Sequence, residues 1–334
     1  MNALDAAIAR ARGLSTHLLS GPAWDELRAA PDLGTLAERL RTGPDPVVVA
    51  ASGVPGPDAL EAAIRRRAGT RLAALVRWCA EASDVVAVLL GEEDRRDLRL
   101  LLHGVIEGAP AADRLRGTIP TPGLPAGALT ILAAQTTVPA IAAALSAWHH
   151  PDARALAIPR APGPPDLIAL DAALTRSWAS RATAAAARVD DELRRYAAAS
   201  IDLENALTAV MLAGSGLDQM ELEPVPGGTR FPPARWKVVG AAGSVAAALA
   251  LAREAFTGTP FEHAFSGAGG VGLARTRAWD AALKIARVRA RTAPLSSAPL
   301  TAYVLAVRDE VQQLQRLIWA LALDAPALAR GGRR

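Results

Sequence analysis

The stretch Ser200-Ile201-Asp202-Leu203-Glu204-Asn205-Ala206-Leu207-Thr208-Ala209-Val210-Met211-Leu212-Ala213-Gly214-Ser215-Gly216 decides how the rest of the chain is read. Its apolar residues fall on one helical face, with Asp202 placed to cap the start and Gly214 and Gly216 to stop the end. The pattern returns at a fixed interval. Moving 108 positions back from Asp202 reaches Asp94, and moving 108 forward reaches Glu310. In this register each acid precedes by three residues one polar side chain: Asp97, Asn205 or Gln313. Four apolar columns follow: Leu98/Ala206/Leu314, Leu101/Ala209/Leu317, Leu102/Val210/Ile318 and Val105/Ala213/Leu321. Their i, i+3, i+4, i+7 spacing is the buried stripe of one helix. The chain therefore reads as three homologous helical units, over 1–110, 111–218 and 219–334.

Composition agrees with an all-α fold. Apolar residues make up 51% of the 334, mostly Ala, Leu and Val, while aromatics are only 4%. Alanine and leucine favour helix, and the β-branched and aromatic strand formers are scarce. The net charge of +4 is spread along the chain, and Lys237 and Lys284 are its only lysines. A diffuse arginine excess without a stacking platform argues against a nucleic-acid partner. Cys79 stands alone, which excludes an internal disulfide or a cysteine metal cluster and fits a reducing compartment. The opening Met1-Asn2-Ala3-Leu4-Asp5 lacks the layout of a signal peptide.

Between Gly117 and Trp148 there is no charged residue, but prolines and Gln135-Thr136-Thr137 divide the stretch. Two short buried helices, the second capped by Thr137, are expected rather than a membrane span of ~20 apolar residues. Further helices are expected over 3–19, from Pro22, over 31–40, over 58–82, a short one over 84–90, and over 166–188, 241–256 and 273–292. In the last of these Arg277, Lys284, Arg287 and Arg291 form one stripe opposite Trp279, Leu283, Ala286 and Ala290, with Arg275 adding charge nearby.

Catalytic motifs fail on their contexts. Gly267-Ala268-Gly269-Gly270-Val271-Gly272 matches GxGxxG, but no convincing strand precedes it and no acid lies in residues 285–295. There is no phosphate loop, no serine elbow, and no ligand spacing among His17, His103, His149, His150 and His263. Cys79, between Trp78 and Ala80 within a helix, is expected to be buried. The acidic segments 92–97 and 190–192 suggest one alternative: a magnesium-dependent prenyl-diphosphate enzyme with Asp94, Asp97, Asp190 and Asp191 as ligands. Arg95 and Arg96 would compete for those carboxylates, and acids near a helix start usually complement its dipole. No cofactor or metal is expected.

Four segments carry a family resemblance. Ala9-Arg10-Ala11-Arg12-Gly13-Leu14-Ser15-Thr16-His17-Leu18-Leu19 resembles the ARVRGLKSRLL opening of the C subunit of V-type and archaeal-type ATPases, subunit d in eukaryotes. Ile201-Asp202-Leu203-Glu204-Asn205 resembles its D-x-x-N-L helix, and Phe256-Thr257-Gly258-Thr259-Pro260-Phe261 its L-x-G-T-P-Y turn. Leu314-Gln315-Arg316-Leu317-Ile318-Trp319 is similar to its N-I-R-x-I-V-W helix. The resemblance implies a helical funnel of three similar domains about a pseudo-threefold axis, on the cytoplasmic face of a membrane rotor ring. Such a part has no active site; it seats the central-stalk shaft and passes torque between the ATP-hydrolysing head and the ion-carrying c-ring. Asp97 and Gln313 depart from the family's asparagines. The expected ring-side surface is Arg275, Arg277, Lys284, Arg287 and Arg291 with the loops ending each unit, reached as a peripheral contact. The expected shaft side lies near Asp94, Asp202 and Glu310. A helical adaptor that kept this fold and lost the rotor is a third reading.

Overall fold

Each repeated segment lies inside a helix of 24 or 25 residues, well beyond the length its apolar stripe alone demands. The computed structural model describes residues 3–43, 45–49, 54–79, 82–156, 166–215, 222–267 and 269–325. Gly216, Ala80, Ala268 and the basic tail over 326–334 lie outside these. The described residues form fifteen α-helices and no strand. Residues 1–110 hold α1 (Ala3–Ser15), α2 (Gly21–Arg28), α3 (Leu33–Thr42), α4 (Pro57–Trp78) and α5 (Ser83–Ile106). Residues 111–218 hold α6 (Ala111–Arg114), α7 (Ala126–Ala133), α8 (Val138–Ala147), α9 (Ala153–Leu156), α10 (Leu167–Ala186) and α11 (Asp191–Ser215). Residues 219–334 hold α12 (Pro233–Gly240), α13 (Val245–Ala255), α14 (Gly270–Thr292) and α15 (Ala298–Ala322), with a 3₁₀ turn at Glu262–Phe265.

Local chemistry sets the helix starts. Asp32, Thr137, Asp166 and Ser244 each accept a hydrogen bond from a first-turn N–H, supplying an acceptor that the helix itself lacks. The uncharged stretch becomes α7 and α8, with Thr137 in its expected role. Among the described residues, no helix is long and apolar enough to cross a membrane.

Three sequence expectations are corrected. The 84–90 segment is not a separate short helix, because α5 runs unbroken from Ser83 through the charged run to Ile106. Asp202 caps nothing on its own helix. It stands mid-way along α11, whose first turn is capped instead by Asp190, which accepts from the Leu193 N–H. The 241–256 helix starts later than expected, as Val245–Ala255 capped by Ser244, and a separate helix, Pro233–Gly240, precedes it across the turn at Ala241-Ala242-Gly243. In all three places a local polar signal reads as an end or a continuation, and packing decides otherwise.

The apolar columns do what their spacing requires. All nine residues of the first three columns are buried, from Leu98, Ala206 and Leu314 to Leu102, Val210 and Ile318. Burying each leucine contributes about 2 kcal/mol. The C-terminal half of α5 packs with α7, α8, α9 and the start of α10 around Leu129, Leu132, Ile141 and Leu170. The C-terminal half of α11 packs with α12, α13, the 3₁₀ turn and α14 around Phe256 and Phe265. α15 packs with α1, α3 and α4 around Leu36, Leu60 and Leu72. α5 and α11 thus build their cores with the stretch of chain that follows each of them, and α15 with the opening stretch.

The acids at 94, 202 and 310 join those stretches. Asp94 accepts from the Thr121 hydroxyl in the loop leading to α7. Asp202 accepts from the backbone N–H groups of Thr229, Arg230 and Phe231 at 2.9–3.0 Å, in the loop leading to α12. Glu310 accepts from the Leu19 N–H at 2.8 Å, just before α2, and is held by Arg67 and Arg71. One register position therefore fastens three different loops.

Candidate partner-binding cavity

α5, α11 and α15 also share a second face, opposite in character to the apolar one. Positions 92, 200 and 308 stand 108 residues apart, as do 96, 204 and 312. Their occupants are Glu92, Ser200 and Arg308, then Arg96, Glu204 and Gln312. All six line one solvent-open cavity of about 240 Å³ between the three helices and α14. Leu100 and Arg316 add the next turn on two of the helices, and α14 contributes Arg275, Thr276 and Trp279. Because i and i+4 stack along one helical face, a polar stripe on each helix becomes one wall of the cavity.

The wall is an arginine network. Glu204 meets Arg99 at 2.9 Å, Arg95 at 3.1 Å and Arg275 at 3.9 Å. Burial works to raise the Glu204 carboxyl, but Arg99, Arg95 and Arg275 overturn this and hold it well below the usual carboxylate range. Glu92 is paired with Arg96 and accepts from the Tyr196 hydroxyl. Burial raises this carboxyl too, and Arg96 and Arg95 bring it below its ordinary value. Burial, reinforced by Glu92, pushes Tyr196 well above a free phenol, so it stays a neutral donor. The Arg96 guanidinium lies 4.2 Å from the centroid of the Trp279 ring and that of Arg308 5.2 Å from it, and Arg308 pairs with Glu93. These pairs hold the side chains of the wall to one another.

The expected interface residues divide. Asp94, Asp202 and Glu310 are buried and occupied by the loops they fasten, so these side chains are not themselves an open surface. Arg275 faces the cavity. Arg277 donates to the Ser266 carbonyl. Arg287 approaches Asp309 at 3.5 Å, and Lys284, Arg287 and Arg291 are exposed. The basic stripe of α14 is therefore not one surface.

The alternative magnesium site is not assembled. Asp97 accepts from the Ile119 N–H, Asp190 from the Ser297 N–H and hydroxyl, and Asp191 pairs with Arg194. Among the described residues, no three carboxylates, histidines or cysteines come together as a metal set. The GxGxxG match opens α14 after a 3₁₀ turn, not a strand. Cys79 is buried at the C-terminal end of α4, where burial pushes its thiol up.

Sequence reasoning missed Glu92, Arg96, Arg99, Glu204, Arg308, Arg316 and Trp279 as a group. The repeat is traced through apolar columns, whose residues look alike. One cavity column holds an acid, a hydroxyl and a base, Glu92, Ser200 and Arg308, and the other a base, an acid and an amide, Arg96, Glu204 and Gln312, which share no chemistry. Only the register, taken one residue before 97, 205 and 313, could have found the second of them.

Comparison with curated protein sequences returns no match. The family model described as ATP synthase (C/AC39) subunit matches residues 7–327, and with nearly the whole chain covered this protein belongs to that family, the C or d subunits of V/A-type ATPases.

Proposed function

We propose that this V/A-type ATPase subunit is a non-catalytic part of the rotor, seating the central-stalk shaft in its cavity and resting on the membrane c-ring. The observation that carries the reading is the cavity itself. The same two register positions from all three repeats line it, as a socket organised about a pseudo-threefold axis requires. The repeats over 1–110, 111–218 and 219–334 are its three units. A torque coupler needs stiffness, and long interlocked Ala/Leu-rich helices with a pre-paired wall supply it. On this reading the subunit works at the cytoplasmic face as a peripheral component and has no reaction of its own.

The ring side is assigned to the exposed Lys284, Arg287 and Arg291 with the loops closing each unit. Reversing Arg287 and Arg291 to glutamate weakens recovery of the ring; assembly unchanged by that pair removes the assignment. The test of the whole reading is co-purification. The tagged protein, recovered from gently solubilised membranes of its native host, brings down shaft, head and ring subunits together. Recovery of a clean protein without them overturns the rotor role and leaves a helical adaptor.

A further inference from the structure

The charge-free stretch from Gly117 to Trp148 takes no part in the cavity. It becomes α7 and α8, whose inner faces bury Leu129, Leu132, Ile141 and Leu145 in one core. Their outer faces are exposed, through Gly127, Thr130 and Ile131 on α7 and Pro139, Ala143 and Ala147 on α8. Ile131 is 50% exposed, and Trp148, which ends α8, 40%. A helix apolar on every side belongs in a core or in lipid, and these two are covered on one side only.

The matching helix pairs elsewhere in the chain are different. α3, α8 and α13 each start at an N-cap, Asp32, Thr137 or Ser244, that accepts from the N–H three residues on, so α2–α3 and α12–α13 are the counterparts of α7–α8. The first exposes Asp25, Glu26, Arg28, Glu38 and Arg41, and the other Lys237, Arg253 and Glu254. Freedom from charge is therefore a property of this pair and not of the fold. The polar side chains of the face are turned onto its own backbone. Thr130 donates to the Ala126 carbonyl at 2.9 Å and Gln135 to that of Ile131 at 3.0 Å, while Thr137 accepts from the Ala140 N–H. A protein interface carries about one hydrogen bond per 100–200 Å² and is enriched in aromatics and arginine. This stretch has one aromatic, no arginine and few groups left to bond. An apolar medium asks for none.

We propose that the outer faces of α7 and α8 rest in the interfacial layer of a membrane, against neutral lipid, with Trp148 at the level of the headgroups. This starts from the peripheral placement proposed above and adds the face that meets lipid. Tryptophan suits that depth because its ring is apolar and its N–H polar. Helices of 8 and 10 residues lie along the surface and do not cross it, since a span needs ~20. Binding comes from apolar area, so it depends neither on anionic headgroups nor on salt.

Flotation of the purified whole chain with vesicles of zwitterionic phosphatidylcholine tests the proposal. The protein floats with them, equally at about 0.05 and about 0.5 M salt. Ile131→Glu with Ala143→Glu lowers the bound fraction by about tenfold or more, because each puts a charge into the apolar layer. Val238→Glu, at an exposed position on α12, leaves it unchanged. Binding to anionic vesicles alone, lost in high salt, would place the contact on arginines elsewhere and overturn the proposal. Undiminished flotation of the Ile131 and Ala143 pair variant overturns it too. Should that pair fail to fold, Trp148→Ser removes the aromatic alone, and flotation unchanged by it counts equally against the proposal. If the unaltered protein does not float, lipid is wrong; loss of ring or shaft from the tagged complex of the pair variant then assigns the face to protein. Flotation asks nothing of the rotor, so failed co-purification with flotation intact removes the rotor reading and keeps this one.

Discussion

Asp97 shows how one side chain can carry a cost that its counterparts avoid. Its carboxylate is fully buried and accepts from the Ile119 N–H at 3.1 Å. Burial, with Glu93 beside it, raises its pKa well above the ordinary 3.8. The equivalent Asn205 is neutral and bonds Val225 twice, through N–H and carbonyl, at 2.8 and 2.9 Å. A carboxyl whose folded pKa is raised binds its proton more tightly when folded. Its contribution to stability is therefore fully present below the unfolded pKa near 3.8 and is lost as pH rises through the folded value. Asp97→Asn removes that loss and keeps the acceptor for Ile119. The variant is more stable by about 1 kcal/mol at pH 7, and the gain fades as pH falls below about 4. Thermal melts of both proteins across that range check it. A gain that persists unchanged in acid would rule out titration of Asp97 as the cause.

At the scale of elements, the long helices are fixed by what they fasten as much as by what they bury. The loop leading to α12 passes so close to α11 that only glycine fits at 228. A Cβ there would fall against Asp202 Oδ1 and 3.0 Å from Cγ, displacing the carboxylate from three N–H donors. Gly228→Ala therefore costs about 3 kcal/mol, since buried N–H groups lose their acceptor. At Gly127, within α7, an added Cβ meets nothing within 4 Å, and Gly127→Ala gains about 0.5 kcal/mol through helix propensity. Denaturant midpoints of the two variants distinguish a steric wedge at 228 from a general effect of adding methyl groups.

The same helices mark where the sequence could be read. The apolar columns were legible because Leu98, Ala206 and Leu314 must all be buried, and burial restricts residue type. The helix cap at Thr137 was legible because capping is local. The length of α5 was not, because Glu92 to Asp97 looks like a boundary unless the cavity and the opposing arginines are known. Asp202 looked like a cap because its true partners, Thr229 to Phe231, lie in a different part of the chain. The arginine wall was legible only as scattered charge, since what makes it a site is the meeting of four helices.

For the molecule as a whole, Glu310 clasps the last long helix to the first part of the chain. It accepts from the Leu19 N–H and pairs with Arg67 at 2.7 Å and Arg71 at 2.6 Å, almost entirely away from solvent. Glu310→Gln keeps the acceptor but leaves two buried guanidinium groups short of charge, with Asp45 still beside Arg71. Removing one partner of a buried pair costs about 3 kcal/mol. Earlier proteolysis in the loop before α2 than elsewhere in the chain is the expected sign that the clasp has opened. Cleavage spread evenly over all three repeats would instead place Glu310 in general stability alone.

The units of sequence and the units of packing do not share their ends, and this sets how the protein can be divided. The core around α7, α8 and α9 needs Leu98, Leu101, Leu102 and Val105, all from α5 in the preceding repeat. A fragment cut at 111–218 lacks those four side chains. At about 2 kcal/mol each their loss approaches 8 kcal/mol, as large as the whole stability of many domains. Such a fragment has no cooperative thermal transition by circular dichroism, although its helices keep their own propensities. A fragment over 83–190 carries α5 to α10 with that core intact, and it melts cooperatively. If 111–218 melts cooperatively and 83–190 does not, each repeat folds as a closed unit. The sharing of cores between neighbours then plays no part in joining the three repeats into one rigid body.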